Sequence, residues 1–385
     1  MKQALVLYGA TDLGASEFSA DILWATEFKV PDPVLFVQIE GRKVLFASPL
    51  EVERARKEAN VDEVLLYSVI RGEQEKQEHQ LVSYLKMEGV THVTIPESLR
   101  YSLASLLSNH FEISAVRSPF GKERSVKRED ELQEIEGAQR AVERAVAKGI
   151  QLVRESEIRG DELWHASYDH PLTSNDLRSC IDGDLYIKGY LGIDSIVACG
   201  AQAADPHCRG EGLLRPYQPI VLDIFPRSLT SLYFADQTRT VFKGEPSAMV
   251  KKMYMAVLDA QEQACMLIRD GAPTNDVMQC AVNILEKNSF PTSLTEGAVY
   301  GFIHGLGHGV GLEIHEAPSV GRSGEIFQEG MVVTVEPGLY YGKEIVAEIG
   351  TIPIGGIRIE DMVVVTKDGC RNLTQFPKSF EEMVL

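Results

Sequence analysis

One stretch, residues 301–361, limits most strongly what this chain can fold into. It opens as Gly301-Phe-Ile-His304-Gly-Leu-Gly-His308-Gly-Val-Gly-Leu-Glu-Ile-His315-Glu316, passes through Thr334-Val-Glu336-Pro-Gly338 and closes on Gly356-Ile-Arg358-Ile-Glu360-Asp361. His304 and His308 stand four apart, a spacing that would place both imidazoles on one face of a helix. Gly305, Gly307, Gly309 and Gly311 argue against that helix, because each glycine costs about 1 kcal/mol relative to alanine. Glycine at this density suits a backbone that approaches other chain segments closely, beside a metal or a substrate. Glu336 ends the apolar run Met331-Val-Val-Thr-Val and Glu360 ends Ile357-Arg-Ile, so two carboxylates are delivered from strand-like segments. Histidine and glutamate make a metal site's palette, but this set is incomplete. The missing ligands are expected upstream.

Asp223 is the first candidate. It interrupts the buried strand pattern Ile220-Val-Leu-Asp223-Ile-Phe, and an ionised carboxylate in an apolar strand is costly unless paired or bound to metal. Turn residues follow at Pro226-Arg-Ser-Leu-Thr-Ser, and residues 232–242 read as a second strand carrying Asp236. A turn centred on Leu229 and Thr230 would place Asp223 directly opposite Asp236, side chains on one face. Two carboxylates so placed repel unless a cation lies between them. The bland alternative is that Asp236 pairs with Arg239 and Asp223 merely ends a strand. Asp223, Asp236, Glu336 and Glu360 together with His308 balance two divalent cations. Oxygen-rich ligation of this kind favours manganese or a similar ion over a thiolate zinc site. Without metal, each like-charged pair at about 4 Å would cost on the order of 4 kcal/mol at an effective dielectric near 20.

The rest of the chain reads as two α/β domains, residues 1–124 and 125–385. In the first, strands are expected at 33–38, 43–47, 63–68 and 90–95, with helical stretches at 49–60 and 73–87. His79, His92 and His110 lie there without partners at ligand spacing and read as surface or satisfied core histidines. A charged stretch, 121–130, marks the boundary. Beyond it, Leu132, Ile135, Ala138, Val142, Ala145, Gly149 and Leu152 recur at helical spacing through 129–155. Further helices are expected near Thr173, where Ser174-Asn-Asp supplies capping chemistry, and at 249–269 and 274–288.

Charge and composition exclude several functions. The net charge of −18, from 56 acidic against 38 basic side chains, repels phosphate backbones and anionic membranes, so no nucleic-acid or membrane partner is expected. No apolar run is long enough to span a bilayer, and the apolar start is too short for a signal peptide. The six cysteines contain no C-x-x-C pair and favour a reducing, cytoplasmic setting. Cys208, beside His207, reads as a packing residue rather than a ligand.

Asp223, Asp236-Gln-Thr-Arg-Thr240, the His304–His315 run, Val335-Glu336-Pro-Gly and Ile357-Arg-Ile-Glu360-Asp together resemble the M24 metallopeptidases. Within them they are most similar to the Xaa-Pro peptidases, aminopeptidase P and prolidase. The resemblance implies a C-terminal pita-bread catalytic domain behind an N-terminal creatinase-like α/β domain, in a homodimer acting on proline-containing di- or oligopeptides. It implies two divalent metal ions, manganese first and cobalt, zinc or iron as alternatives. Asp223, Asp236, His308, Glu336 and Glu360 would hold them, with Asp236 and Glu360 bridging. A hydroxide shared by the ions would be the nucleophile, Glu336 its general base, and His207, His304 and His315 would face the substrate. Arg358 would orient the carboxylate beside it and contact substrate. Two departures stand out. Phe225 occupies the position where the family carries glycine after its first aspartate. Ser319 stands where many prolidases carry an arginine for the substrate's terminal carboxylate, which leaves Arg322 to do that work or dipeptides not to be preferred. Two other readings compete: a non-catalytic binding module of the same fold, and a metal-free creatinase-type C–N hydrolase.

Overall fold

The computed structural model describes residues 2–67 and 74–385, and the chain divides into two compact units, Met1–Arg124 and Ser125–Leu385. In the first, six strands form one sheet in the order Glu63–Leu66, Arg42–Ala47, Val34–Ile39, Lys2–Gly9, Val90–Pro96, Glu112–Val116. Lys2–Gly9 pairs antiparallel with Val34–Ile39 on one side and parallel with Val90–Pro96 on the other. Alternation sends its side chains to two separate cores. Ala4 and Val6 meet Leu81 and Leu103, while Leu7 meets Ile22, Phe36 and Val52. The apolar start of the chain is therefore the sheet's interior strand. His92 bonds Ser114 and His110 approaches Lys86. The side chain of His79 lies outside the described residues.

The second unit combines long helices with several small sheets. Glu129–Glu155 buries the expected stripe, although its last turn seats Ile150 and Val153 while Leu152 stays half-buried. Gly149 has a physical reason. A Cβ there would come within 2.7 Å of Ile181, so glycine lets the helix Ser174–Ile187 lie close. That helix starts as its sequence indicates: Thr173 caps Asp176 N–H, and the Asp176 carboxylate bonds back to Thr173 N–H. The helices Ala248–Cys265 and Thr274–Lys287 form the second pair.

Three sets of strands carry the acids and imidazoles. Ile196–Cys199, Ile220–Ile224 and Gln237–Val241 form one antiparallel sheet. Glu316–Val320, Gly307–Gly309, Val332–Val335, Asp361–Thr366 and Gly369–Asn372 form another in that order, and Gly338–Tyr341 pairs with Gly355–Arg358. The glycine run is extended, not helical. A Cβ on Gly307 would fall 2.0 Å from the Thr334 carbonyl, and one on Gly309 2.2 Å from that of Ala317. Among the described residues no helix is long and apolar enough to cross a membrane.

Candidate metal centre

The strand Ile220–Ile224 presents Asp223 opposite Thr238, not opposite Asp236. The direct pairing expected from a tight turn is corrected here, and the turn explains why. Ser228 N–H and the Tyr233 carbonyl close the loop at its base, and Leu232 takes a left-handed φ of 67°. The Ser228 hydroxyl accepts hydrogen bonds from Thr230 N–H and Ser231 N–H inside that loop. The register slips by two positions, and a slip of two preserves facing. Asp223, Thr238 and Asp236 therefore share one face, although Asp236 precedes the strand Gln237–Val241 rather than belonging to it.

Alternation through Asp236-Gln-Thr-Arg-Thr240 sorts the next contacts. Thr238 Oγ1 donates to Glu360 Oε2 at 2.8 Å, and Thr240 Oγ1 donates to the Arg358 carbonyl at 2.9 Å. Arg239 points the other way. It is fully buried, bonds Asp361 Oδ1 at 2.8 Å and the Glu360 carbonyl at 2.6 Å, and makes no pair with Asp236. Asp361 is further held by Lys378, Gln261 and Asn372, and the charges of Arg239 and then Lys378 keep its carboxyl below the usual range despite burial. Glu360 and Asp361, adjacent in sequence, thus face two different environments.

Asp236, His308 and Glu360 each offer a ligand atom, and these atoms lie within 4.8 Å of one another. Glu336, just past the strand Val332–Val335, brings Oε1 to 3.4 Å from His308 Nε2, while Asp236 Oδ2 is 3.7 Å from the same nitrogen. His308 Nδ1 lies 3.2 Å from the Gly309 carbonyl. A proton on Nδ1 satisfies that carbonyl and leaves the Nε2 lone pair facing two carboxylates. Asp223 Oδ2 instead accepts from Arg358 Nη2 at 2.6 Å. The carboxylate that Arg358 reaches is thus Asp223, not its sequence neighbour Glu360.

These groups line a cavity of about 580 Å³ together with His207, His304, His315, Phe225 and Ser319. Arg322 is not in that lining. Burial and mutual repulsion push the Asp236 and Glu336 carboxyls well above their ordinary values, and Glu360 up to about 8. Burial, reinforced by His315, lowers His308 to about 3. Buried carboxylates that resist ionisation, around an imidazole that resists protonation, have the donor chemistry of a cation-binding pocket. Asp236 Oδ1 is buried and has no hydrogen-bond partner. An orphaned carboxylate oxygen among three more carboxylates and an imidazole fits a hard divalent ion.

A model of metallopeptidase family M24 matches residues 133–367, more than half the chain. The chain belongs to that family. Over its length it is 29% identical to a Xaa-Pro dipeptidase of Pyrococcus horikoshii, in an alignment spanning 88% of this chain and 86% of that protein. A solved X-Pro aminopeptidase of Thermotoga maritima superposes with a TM-score of 0.77 at 25% identity, covering 98% of this chain and 97% of its own. A Xaa-Pro dipeptidase structure from Bacillus anthracis reaches a TM-score of 0.81 at 23% identity, over 100% and 95%. The pita-bread α/β fold of the catalytic unit is thereby shown.

Two residues of this M24 site escaped sequence reasoning. Tyr340 is buried in the strand Gly338–Tyr341, accepts from Arg358 Nη1 at 2.9 Å, and lies 2.9 Å from His304 Nε2. His304 Nδ1 sits 2.7 Å from the Gly305 carbonyl. The bonds order themselves from Arg358 through the Tyr340 hydroxyl to Nε2, with the His304 proton on Nδ1. Burial, with Arg358 second, lowers His304 to about 4, consistent with a neutral ring. Arg239 is the other. In the sequence it stands only as a possible partner of Asp236, whereas the structure commits it to Asp361 and the Glu360 carbonyl.

Proposed function

We propose that this M24 metallopeptidase hydrolyses the peptide bond between any residue and a following proline. The convergence of Asp236, His308 and Glu360, with one Asp236 oxygen left unpartnered, carries the reading. The names of the dipeptidase and aminopeptidase relatives supply the bond. Asp223, Asp236, His308, Glu336 and Glu360 are the residues that would hold two divalent ions, manganese first. Such ions, when bound, supply Lewis acidity to the scissile carbonyl and make water acidic enough to attack near neutral pH.

The chain's own groups do the rest. Glu336 Oε1, held near Thr334 Oγ1 and His308, accepts the proton of the attacking water and returns it to the departing nitrogen. His304 stays neutral with Nε2 hydrogen-bonded to the Tyr340 hydroxyl, so it lines the substrate side without adding positive charge. His315 packs edge-on against His308 at 4.3 Å between ring centroids and holds that imidazole's orientation from the cavity side. His207 lines the same cavity and completes the substrate-facing imidazoles. Arg358, committed to Asp223 and Tyr340, positions these two groups. A bond to proline suits the site because its nitrogen carries no hydrogen, so strand-like recognition of that amide is not required. A homodimer in the cytoplasm, in keeping with six free cysteines, belongs to the same proposal.

The test is a panel of Ala-Pro, Ala-Pro-Ala and Ala-Ala peptides with Mn²⁺ or Co²⁺ supplied. The proline-containing peptides are cleaved before proline, and Glu336→Ala abolishes the cleavage. Failure on every proline peptide would refute the reading.

A further inference from the structure

A second cavity, of about 640 Å³, adjoins the first and shares Ile303, His304, Gly305 and Ser319 with it. Its wall is apolar where the helix Thr274–Lys287 supplies Met278, Val282 and Leu285. Its charged lining residues are Glu286 and Arg322. Among the described residues no hydrogen bond or ion pair engages the exposed Arg322 guanidinium. Ser319 stands directly opposite His308 in the ladder between Gly307–Gly309 and Glu316–Val320, so the two side chains share a face. A hydroxymethyl group there leaves room between the cavities that a long side chain would fill.

We infer that the second cavity receives the residue following proline, making the substrate an Xaa-Pro-Yaa peptide with a large apolar Yaa. The inference rests on the Xaa-Pro reading above. A peptide whose scissile bond lies at the carboxylate cluster continues past His304 and Ser319, the residues common to both cavities. A dipeptide ends before the apolar wall and leaves it in water. A third residue with a branched side chain covers that wall, and burying apolar surface is favourable in proportion to the area removed from water. Its terminal carboxylate then comes to the cavity that holds Arg322, the one cation in the described lining. Glu286 in the same lining disfavours a second acid at Yaa.

The experiment measures kcat/KM on the full chain supplied with Mn²⁺, for Ala-Pro, Ala-Pro-Gly, Ala-Pro-Leu and Ala-Pro-Leu-amide. Ala-Pro-Leu is cleaved at least about tenfold better than Ala-Pro-Gly, the discrimination a hydrophobic pocket gives for a side chain of this size. Val282→Phe narrows the cavity and brings that ratio below about threefold. The ratio compares two substrates on one preparation, so a partly misfolded variant does not alter it. Arg322→Gln lowers the rate on Ala-Pro-Leu by about tenfold and spares the amide, which has no carboxylate to lose. A Leu-to-Gly ratio near one in the unaltered enzyme, or Ala-Pro cleaved as well as Ala-Pro-Leu, overturns the inference and leaves the Xaa-Pro reading standing. No cleavage of any of the four peptides overturns both.

Discussion

At the scale of single residues, the site is built by pairs of neighbours that face apart. Thr238 and Arg239 are adjacent, yet one bonds the Glu360 carboxylate and the other its backbone carbonyl from behind. Glu360 and Asp361 are adjacent, yet burial and repulsion raise the first while cations lower the second. For Thr238 and Arg239 alternation along the strand does this at no cost in sequence length, while Glu360 stands just before the strand that Asp361 opens. Tyr340 is the hinge between two such sets, since its hydroxyl joins Arg358 to His304. Tyr340→Phe removes that hydroxyl and keeps the ring's packing. We expect kcat/KM on a proline peptide to fall about 10- to 100-fold, the usual cost of removing a partner that orients site groups. Circular dichroism and thermal melting on the same sample should show an intact fold.

At the scale of elements, the glycine run and the acid-bearing hairpin decide the geometry. Gly307 lies where a Cβ would meet the Thr334 carbonyl at 2.0 Å, whereas a Cβ on Gly305 has no atom outside its neighbours closer than 3.5 Å. Gly307→Ala should therefore destabilise the catalytic unit by about 3 kcal/mol through forced sheet movement. Gly305→Ala should stay within about 0.5 kcal/mol, as an unconstrained surface change does. Urea midpoints of the two variants, compared with the unaltered chain, check the contrast. The sequence made the principle of the run legible, since four alternating glycines cannot hold a helix beside a ligand set. It also made legible that Asp223 and Asp236 share a face. It did not make the register legible, because the loop's length depends on bonds that the Ser228 hydroxyl accepts from Thr230 and Ser231 N–H and on Leu232 at positive φ. Neither has a periodic signature. Tyr340 and Arg239 were hidden for a related reason: their partners lie on strands distant in the chain, and only assembly brings them together.

At the scale of the whole molecule, the N-terminal strand shows the same limit. In the sequence Lys2–Gly9 is no more than a short apolar start outside the expected strands, and its place between Val34–Ile39 and Val90–Pro96 follows from pairing with segments distant in the chain. The catalytic unit's long helices were plain from spacing and capping residues. Its electrostatics yield a prediction about folding. Carboxyls raised by burial are protonated and tolerated in the metal-free fold at low pH. A group whose folded value lies above its unfolded one contributes stability that is lost as pH rises through the folded value. For Glu360 that value is about 8, against an ordinary carboxyl near 4.5. The melting temperature of metal-free protein should therefore fall between about pH 4.5 and pH 8 as Glu360 is forced to ionise, with Asp236 and Glu336 acting in the same direction. Mn²⁺ should flatten that slope, because cations favour the ionised carboxylates, and it should raise stability by mass action. Differential scanning calorimetry with and without metal checks both the sign of the slope and its flattening.

Metal dependence of turnover tests the central claim most directly. Protein stripped with a chelator and dialysed is titrated with Mn²⁺ while cleavage of Ala-Pro-Leu is followed. Activity should be negligible without metal, its restoration should level off near two ions per chain, and none should return when Asp236→Asn and Glu360→Gln are combined. Full cleavage by the stripped protein, or restored cleavage in the double variant, would contradict the claim.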